Sequence, residues 1–249
     1  GAEKTGDKNV DLRAKDTEGP VHLVNIESYF LSKYELTQAQ WMRINEHNPA
    51  AYPVGTEVEP DPITSLHPME QITWEESTEI MRRYDLQLPT EAQWEYATRG
   101  VWTPSQQTPS SNTVFWSGNT VASLQGTLNI SDQGGRDLGS PESWRFESVL
   151  NDGHIVHAPV GSFTANPFGL HDMLGNVWEW CADQFGEYTL LVETGTGKRL
   201  VTDPEASRLF RGGGFRASSV HVRSADRYSI YASDYRAYDV GVRPARGIE

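Results

Sequence analysis

Apolar positions along this chain fall in short capped stretches separated by long polar ones. Val21–Tyr34 (VHLVNIESYFLSKY) sets Val21, Leu23, Ile26 and Phe30 among polar residues and reads as extended chain. Three capping boxes follow: Thr37 with Gln40, Thr73 with Glu76, and Thr90 with Gln93. In each, a hydroxyl accepts an N–H of the first turn and a longer side chain reaches back, so each opens a helix. The first helix is expected to reach about Asn45. The second should reach about Tyr84, with Ile80, Met81 and Tyr84 inward. The third should reach about Arg99, where Gly100 supplies a left-handed stop. Asn48–His67 carries four prolines and a glycine and reads as loop.

Periodicity is lost over Val101–Val160, which is rich in Ser, Gly, Asn and Thr, with Trp102, Trp116 and Trp144 dispersed through it. A loop region of that length inside a compact domain is unusual. Buried tryptophans or a cation would pin it. Gly1–Glu18, polar and rich in Lys and Asp, reads as a flexible lead-in. A polar insertion covers Glu187–Ser207. No internal repeat and no linker appears, so residues 19–249 read as one domain.

Composition narrows the partners. A hydrophobic content of 37% with eight Trp is enough for a packed core. The formal net charge of −13 argues against nucleic acid and against anionic membranes, both of which need a basic surface. Cys181 is the only cysteine, which excludes an internal disulfide and a thiolate cluster. No apolar run approaches the length of a membrane span. The chain opens on Gly1 rather than Met, so a trimmed export signal is expected.

The most unusual composition lies near the end. Arg211–Arg246 interleaves Tyr228, Tyr231, Tyr235 and Tyr238 with Ser229, Ser233, Asp226, Asp234 and Ala237, and contains no Lys, Glu, Gln, Met, Trp or Asn. Tyrosine offers a broad amphipathic face at low entropic cost, while Ser and Asp adapt their hydrogen bonds, as recognition surfaces require. The plainer alternative is an aromatic edge hairpin whose tyrosines only pack. Gly212, Gly213, Gly214, Phe215, Arg223, Ala225, Gly241, Arg243 and Pro244 read as scaffold within the same stretch.

LPTEAQWEYATRG (Leu88–Gly100), NPFGLHDMLGNVWEW (Asn166–Trp180), RLFRGGGFR (Arg208–Arg216) and VGVRPAR (Val240–Arg246), taken in this order, resemble the formylglycine-generating-enzyme (sulfatase-modifying factor) family. The resemblance covers about Val21 to Arg246. It implies an α+β, C-type-lectin-like fold with few regular elements, a few short helices and a small twisted antiparallel sheet. It also implies that oxidase members hold copper(I) on a cysteine pair after the Gly-Gly motif, soft sulfur suiting that ion. Here no residue after Gly213 is cysteine, and Cys181 falls on the Trp-Glu-Trp framework. A further relative class uses a three-histidine iron site, but His22, His47, His67, His154, His157, His171 and His221 show no ligand spacing.

The tyrosine-rich stretch resembles a subset of the family, the variable proteins of diversity-generating retroelements. In these, adenine-directed mutagenesis of AAY codons cannot produce Lys, Glu, Gln, Met or Trp, the types missing here. The resemblance implies a non-enzymatic receptor or adhesin. Its ligand-facing positions would be Val220, His221, Asp226, Tyr228, Ser229, Ile230, Tyr231, Asp234, Tyr235 and Tyr238, set between fixed Arg223, Arg227 and Arg236. Ala217, Ser218, Ala232, Ser233, Ala237 and Asp239 form a second set. The expected partner is a protein on another cell or host surface, and the expected place is the bacterial cell surface, as an exported lipoprotein.

No cofactor is required by this reading, but the family resemblance implies structural Ca²⁺. Asp172 and Glu179 with the carbonyls of Gly175 and Val177 would form one site. Asn129, Ile130, Asp152 and His154 would form another, both offering the hard oxygen ligands that ion takes. The alternative for the first is a carboxylate pair neutralised by arginines such as Arg211 or Arg216. Two other functions stay open: a formylglycine-generating-type oxidase acting on a sulfatase cysteine, and a carbohydrate lectin.

Overall fold

Each of the three capping boxes opens a helix in the computed structural model, which describes residues 1–100, 112–231 and 234–248. Helix α1 (Gln38–Ile44), α2 (Trp74–Arg83) and α3 (Glu91–Arg99) begin with a threonine hydroxyl accepting the third N–H and a Gln or Glu returning to the threonine N–H. Gly100 closes α3 at φ 63°. Ile80 and Met81 are buried as the helical period requires, but Tyr84 is 50% exposed. It follows the last helical residue, where the period no longer dictates its direction.

The extended reading of Val21–Tyr34 reduces to strand β1 (Tyr29–Leu31), with Ile26 bridged to Gly195. The long aperiodic stretch, over its described part, contains one 3-10 turn (Val121–Leu124) and helix α4 (Gln133–Asp137). Short acidic and amide side chains hold it by bonding the backbone. Asp132 accepts from Gly135 N at 2.9 Å and Asp152 N at 2.6 Å, and Asp152 accepts from Ile130 N and His154 N at 2.8 and 2.9 Å. These bonds satisfy loop N–H groups that no ladder would reach. Trp102 lies outside the described residues.

The sheet that frames the site has four strands in the order β4 (Tyr228–Ile230), β3 (Arg208–Arg211), β2 (Trp178–Gln184), β5 (Val240–Gly241). β2–β3 and β3–β4 are antiparallel, with Trp180 opposite Phe210 and Phe210 opposite Tyr228, while β5 joins β2 in parallel. Strand β6 (Ala245–Gly247) pairs with β1 in a second, two-stranded sheet. One apolar cluster packs α1, α2, Trp180 and Phe210, and another packs Trp94, Leu174, Cys181 and Leu209 on the other side. Among the described residues no helix is long and apolar enough to cross a membrane.

The expected flexible lead-in does not hold. Ala2, Asp11, Ala14 and Glu18 are buried, and Asp11 and Glu18 pair with Arg223. Acidic residues that read as solvated in sequence are instead counter-ions to an arginine from the far end of the chain.

Candidate ligand-binding site

Strands β2, β3 and β4 deliver aromatic residues to the same face, Trp178 and Trp180 from β2, Phe210 from β3 and Tyr228 from β4. Trp178, Phe210 and Tyr228 meet at ring centroid separations of 5.2 to 5.6 Å. Tyr235 stacks parallel to Phe210 at 6.2 Å. These rings floor an open cleft of about 350 Å³ whose walls include Trp144, Arg145, Arg216, Ser218 and Asp239. The volume lies at the small end of ligand-binding cavities. Aromatic pairs at such offsets and tilts contribute about 0.5–1.5 kcal/mol each beyond their buried area, so the floor is stiff.

The sequence-predicted positions divide into three groups. Tyr231 and Tyr228 are 83% and 45% exposed, and Asp234 is exposed. Val220, His221, Ser229, Ile230, Tyr235 and Tyr238 are half-buried, their rings or stems held by the scaffold. Asp226 corrects the expectation. It is fully buried and accepts from Arg223 at 2.8 Å, Lys15 at 2.6 Å and His221 at 3.4 Å. Burial alone would raise its carboxyl, but the His221 hydrogen bond and the Lys15 and Arg223 charges hold it below the usual range. It fastens the frame rather than facing a ligand. Of the second set, Ala217, Ser218, Ala237 and Asp239 are buried, and Ala232 and Ser233 lie outside the described residues.

Four buried arginines lock this face to the rest of the chain. Arg211 reaches Glu91 and Glu95, both at 2.8 Å. Arg227 shares Glu91, at 2.6 and 2.9 Å. Arg223 takes Glu18 and Asp11, and Arg243 takes Glu179 at 2.7 Å. Backbone carbonyls take further N–H groups: Arg243 donates to those of Ser32 and His171, and Arg227 to those of Thr17 and Gly186. Arg236, read as fixed, is exposed and pairs with Glu76 on α2 at 2.7 Å. Arg216 binds Asp239 at 2.6 Å and lies over the Tyr238 ring at 4.8 Å.

The two calcium sets are in part engaged by the protein's own groups, while Asp172 Oδ1 and Asn129 Oδ1 are buried without a partner. Glu179 has both oxygens engaged, by Arg243 and by the Trp94 indole N–H at 2.7 Å. The alternative of neutralisation by arginine thus fits better, although the arginine is Arg243 and not Arg211 or Arg216. Asp172 accepts from Gly161 N at 2.7 Å and keeps one buried oxygen without a partner. Burial raises the Asp172 carboxyl, and Glu35 beside it is raised well above the carboxylate range, first by burial and then by Asp172. In the second set both Asp152 oxygens accept backbone N–H groups, and the Asn129 carbonyl accepts from Asn176 N.

Sequence reasoning missed Trp178, Phe210, Arg145 and Arg216 as lining residues, and Glu18, Glu91 and Glu95 as anchors. The period-2 alternation in Trp178-Glu179-Trp180 and Leu209-Phe210-Arg211 is the available signal for the first pair: one parity faces the cleft side, the other the buried carboxylate side.

This architecture is an α+β, C-type-lectin-like fold of few regular elements, built round an aromatic-floored cleft. Residues 4–248 match the sulfatase-modifying factor enzyme 1-like domain, and the chain belongs to that family. It is similar to the formylglycine-generating enzyme of Streptomyces coelicolor, 32% identical over 67% of this chain but only 46% of that enzyme. It is 25% identical to that of Thermomonospora curvata, over 93% of this chain and 84% of the enzyme. Among solved structures, Treponema denticola variable protein 1 superposes with a TM-score of 0.69 at 19% identity, over 90% of this chain and 86% of that one. PvdO from Pseudomonas aeruginosa gives 0.68 at 19% identity, over 96% and 88%. Both share the fold.

Proposed function

We propose that this chain is a non-enzymatic ligand-binding protein, a receptor or adhesin, whose Arg211–Arg246 segment is a diversified binding region of the kind found in retroelement variable proteins. One observation carries this reading. At the end of the fold where oxidase relatives are expected to hold paired cysteines, the chain presents tyrosine rings and hydroxyls on arginine-locked backbone. Its one thiol, Cys181, is fully buried in the opposite cluster and pushed well up by that burial, which makes it a core residue and not a nucleophile. The exposed positions of the segment, such as Tyr231 and Asp234, are free of the locks, so exchanging them leaves the backbone in place. The fold shared with a protein titled a variable protein supports the same reading.

A protein on another cell is the fitting class of partner, and display on the bacterial surface as an exported lipoprotein is the fitting place. Oxygen uptake with a cysteine-containing sulfatase peptide is the deciding assay, because the enzyme relatives favour that alternative. No uptake above buffer is expected. Turnover of the peptide cysteine overturns the proposal.

A further inference from the structure

The cleft also specifies the chemistry of its occupant, an inference that rests on the ligand-binding reading above. Charge in and around it is not balanced. Among the described residues that line it, Asp239 is the one carboxylate; it is 1% exposed and consumed by Arg216. Arg145 also lines the cleft, is exposed, and has no hydrogen bond, ion pair or ring contact to any described residue. An unmatched guanidinium therefore stands at the mouth of an aromatic cleft in a chain of net charge −13. A guanidinium presents a planar fork of donors that matches a carboxylate in two parallel bonds. Tyr228, 45% exposed, and half-buried Tyr235 offer ring surface to another planar ring, backed by the buried rings of Trp178 and Phe210.

We infer that the cleft takes an aromatic side chain of a protein ligand, with a carboxylate beside it in that ligand seated on Arg145. At about 350 Å³ the cleft has room for one ring and its neighbour. Tyr231, 83% exposed beside β4, adds contact area only for an occupant that continues past the cleft. A cationic ligand would gain from the rings but meets Arg145 and Arg216 and finds no free carboxylate.

The test is calorimetric titration of the intact protein with three capped peptides, acetyl-Ala-Trp-Glu-Ala-amide, acetyl-Ala-Trp-Lys-Ala-amide and acetyl-Ala-Ala-Glu-Ala-amide. At low salt the Trp-Glu peptide should bind about fivefold or more tighter than the Trp-Lys peptide, the value of roughly one exposed ion pair. The preference should shrink at high salt. R145Q should abolish the preference while leaving a Trp requirement. R82Q, which removes an exposed charge on α2 and leaves Arg83 on Glu79, should leave it unchanged. Y228A, checked for folding by its melting curve, should weaken both Trp peptides about fivefold. Equal affinities of all three peptides, tighter binding of the Trp-Lys peptide, an undiminished preference in R145Q, or no binding by any peptide each overturn the assignment. Those failures are separable from failure of the ligand-binding reading, which shows itself as oxidation of the cysteine peptide. Trp peptides bound without charge preference would sink the carboxylate assignment alone.

Discussion

Gly213 illustrates how tightly the frame is set at a single position. Its φ of 80° lies in the left-handed region, and a Cβ there would stand 2.4 Å from Val222 Cγ1. Strain and overlap add, so G213A should cost about 2–4 kcal/mol, read as a lowered midpoint in urea. His67 makes a prediction of a different kind. Its Nδ1 lies 2.9 Å from Thr64 N, 3.1 Å from Thr64 Oγ1 and 3.2 Å from the Thr64 carbonyl. Burial, then the neighbouring His157, brings its pKa down from 6.5 to about 4. Between those values the unfolded chain binds a proton that the folded chain refuses, so the folded state gains stability as pH rises through the window and loses it on acidification. The melting temperature should fall from pH 6.5 to 4, and H67N, whose amide oxygen can keep the Thr64 bond, should flatten part of that slope. An unaltered slope in H67N would assign the acid sensitivity elsewhere.

Elements in this fold differ in how openly the sequence declares them. The three helices were legible because each cap is local: a threonine and a Gln or Glu three residues on. The tyrosine face was legible as composition. The cleft was not, because Trp178, Phe210 and Tyr228 come from three separate strands and only pairing in register brings them together. The anchors were hidden for the same reason: Arg227 and Glu91 are 136 residues apart in the chain. Burying one partner of such a pair without the other is costly, which sets up a contrast between neighbours on the β4 segment. R227Q strands Glu91 beside Arg211 alone and should destabilise by about 3–5 kcal/mol. Y231A, at an exposed ring, should stay within about 0.5 kcal/mol. Denaturation curves of the two variants compare the lock with the displayed position directly, and equal losses would contradict the division between them.

At the scale of the whole molecule, the first eighteen residues act as a strap across the back of the C-terminal face. Glu18 and Asp11 supply three of the oxygens around Arg223, and Thr17 gives a carbonyl to Arg227. A chain beginning at Gly19 should therefore lose about 3 kcal/mol or more, roughly 6–12 °C in Tm, with the loss concentrated in the C-terminal segment. Hydrogen exchange would show faster opening of Val222–Arg227 in that variant, and unchanged exchange there would refute the strap. Composition concealed this role, since a run of Lys and Asp looks the same whether solvated or paired with a partner more than two hundred residues away.

The distribution of the locks has a consequence for inheritance. For Arg211, Arg223, Arg227 and Arg243 the acidic counterpart sits at Glu91, Glu95, Asp11, Glu18 or Glu179, upstream of the segment, with Asp226 the one internal exception. A process that rewrites only the C-terminal coding stretch can thus never replace both halves of those clamps at once. A combinatorial library that spares four arginine codons and varies the exposed ones would inherit the same safeguard, making this chain a ready host for selected binders.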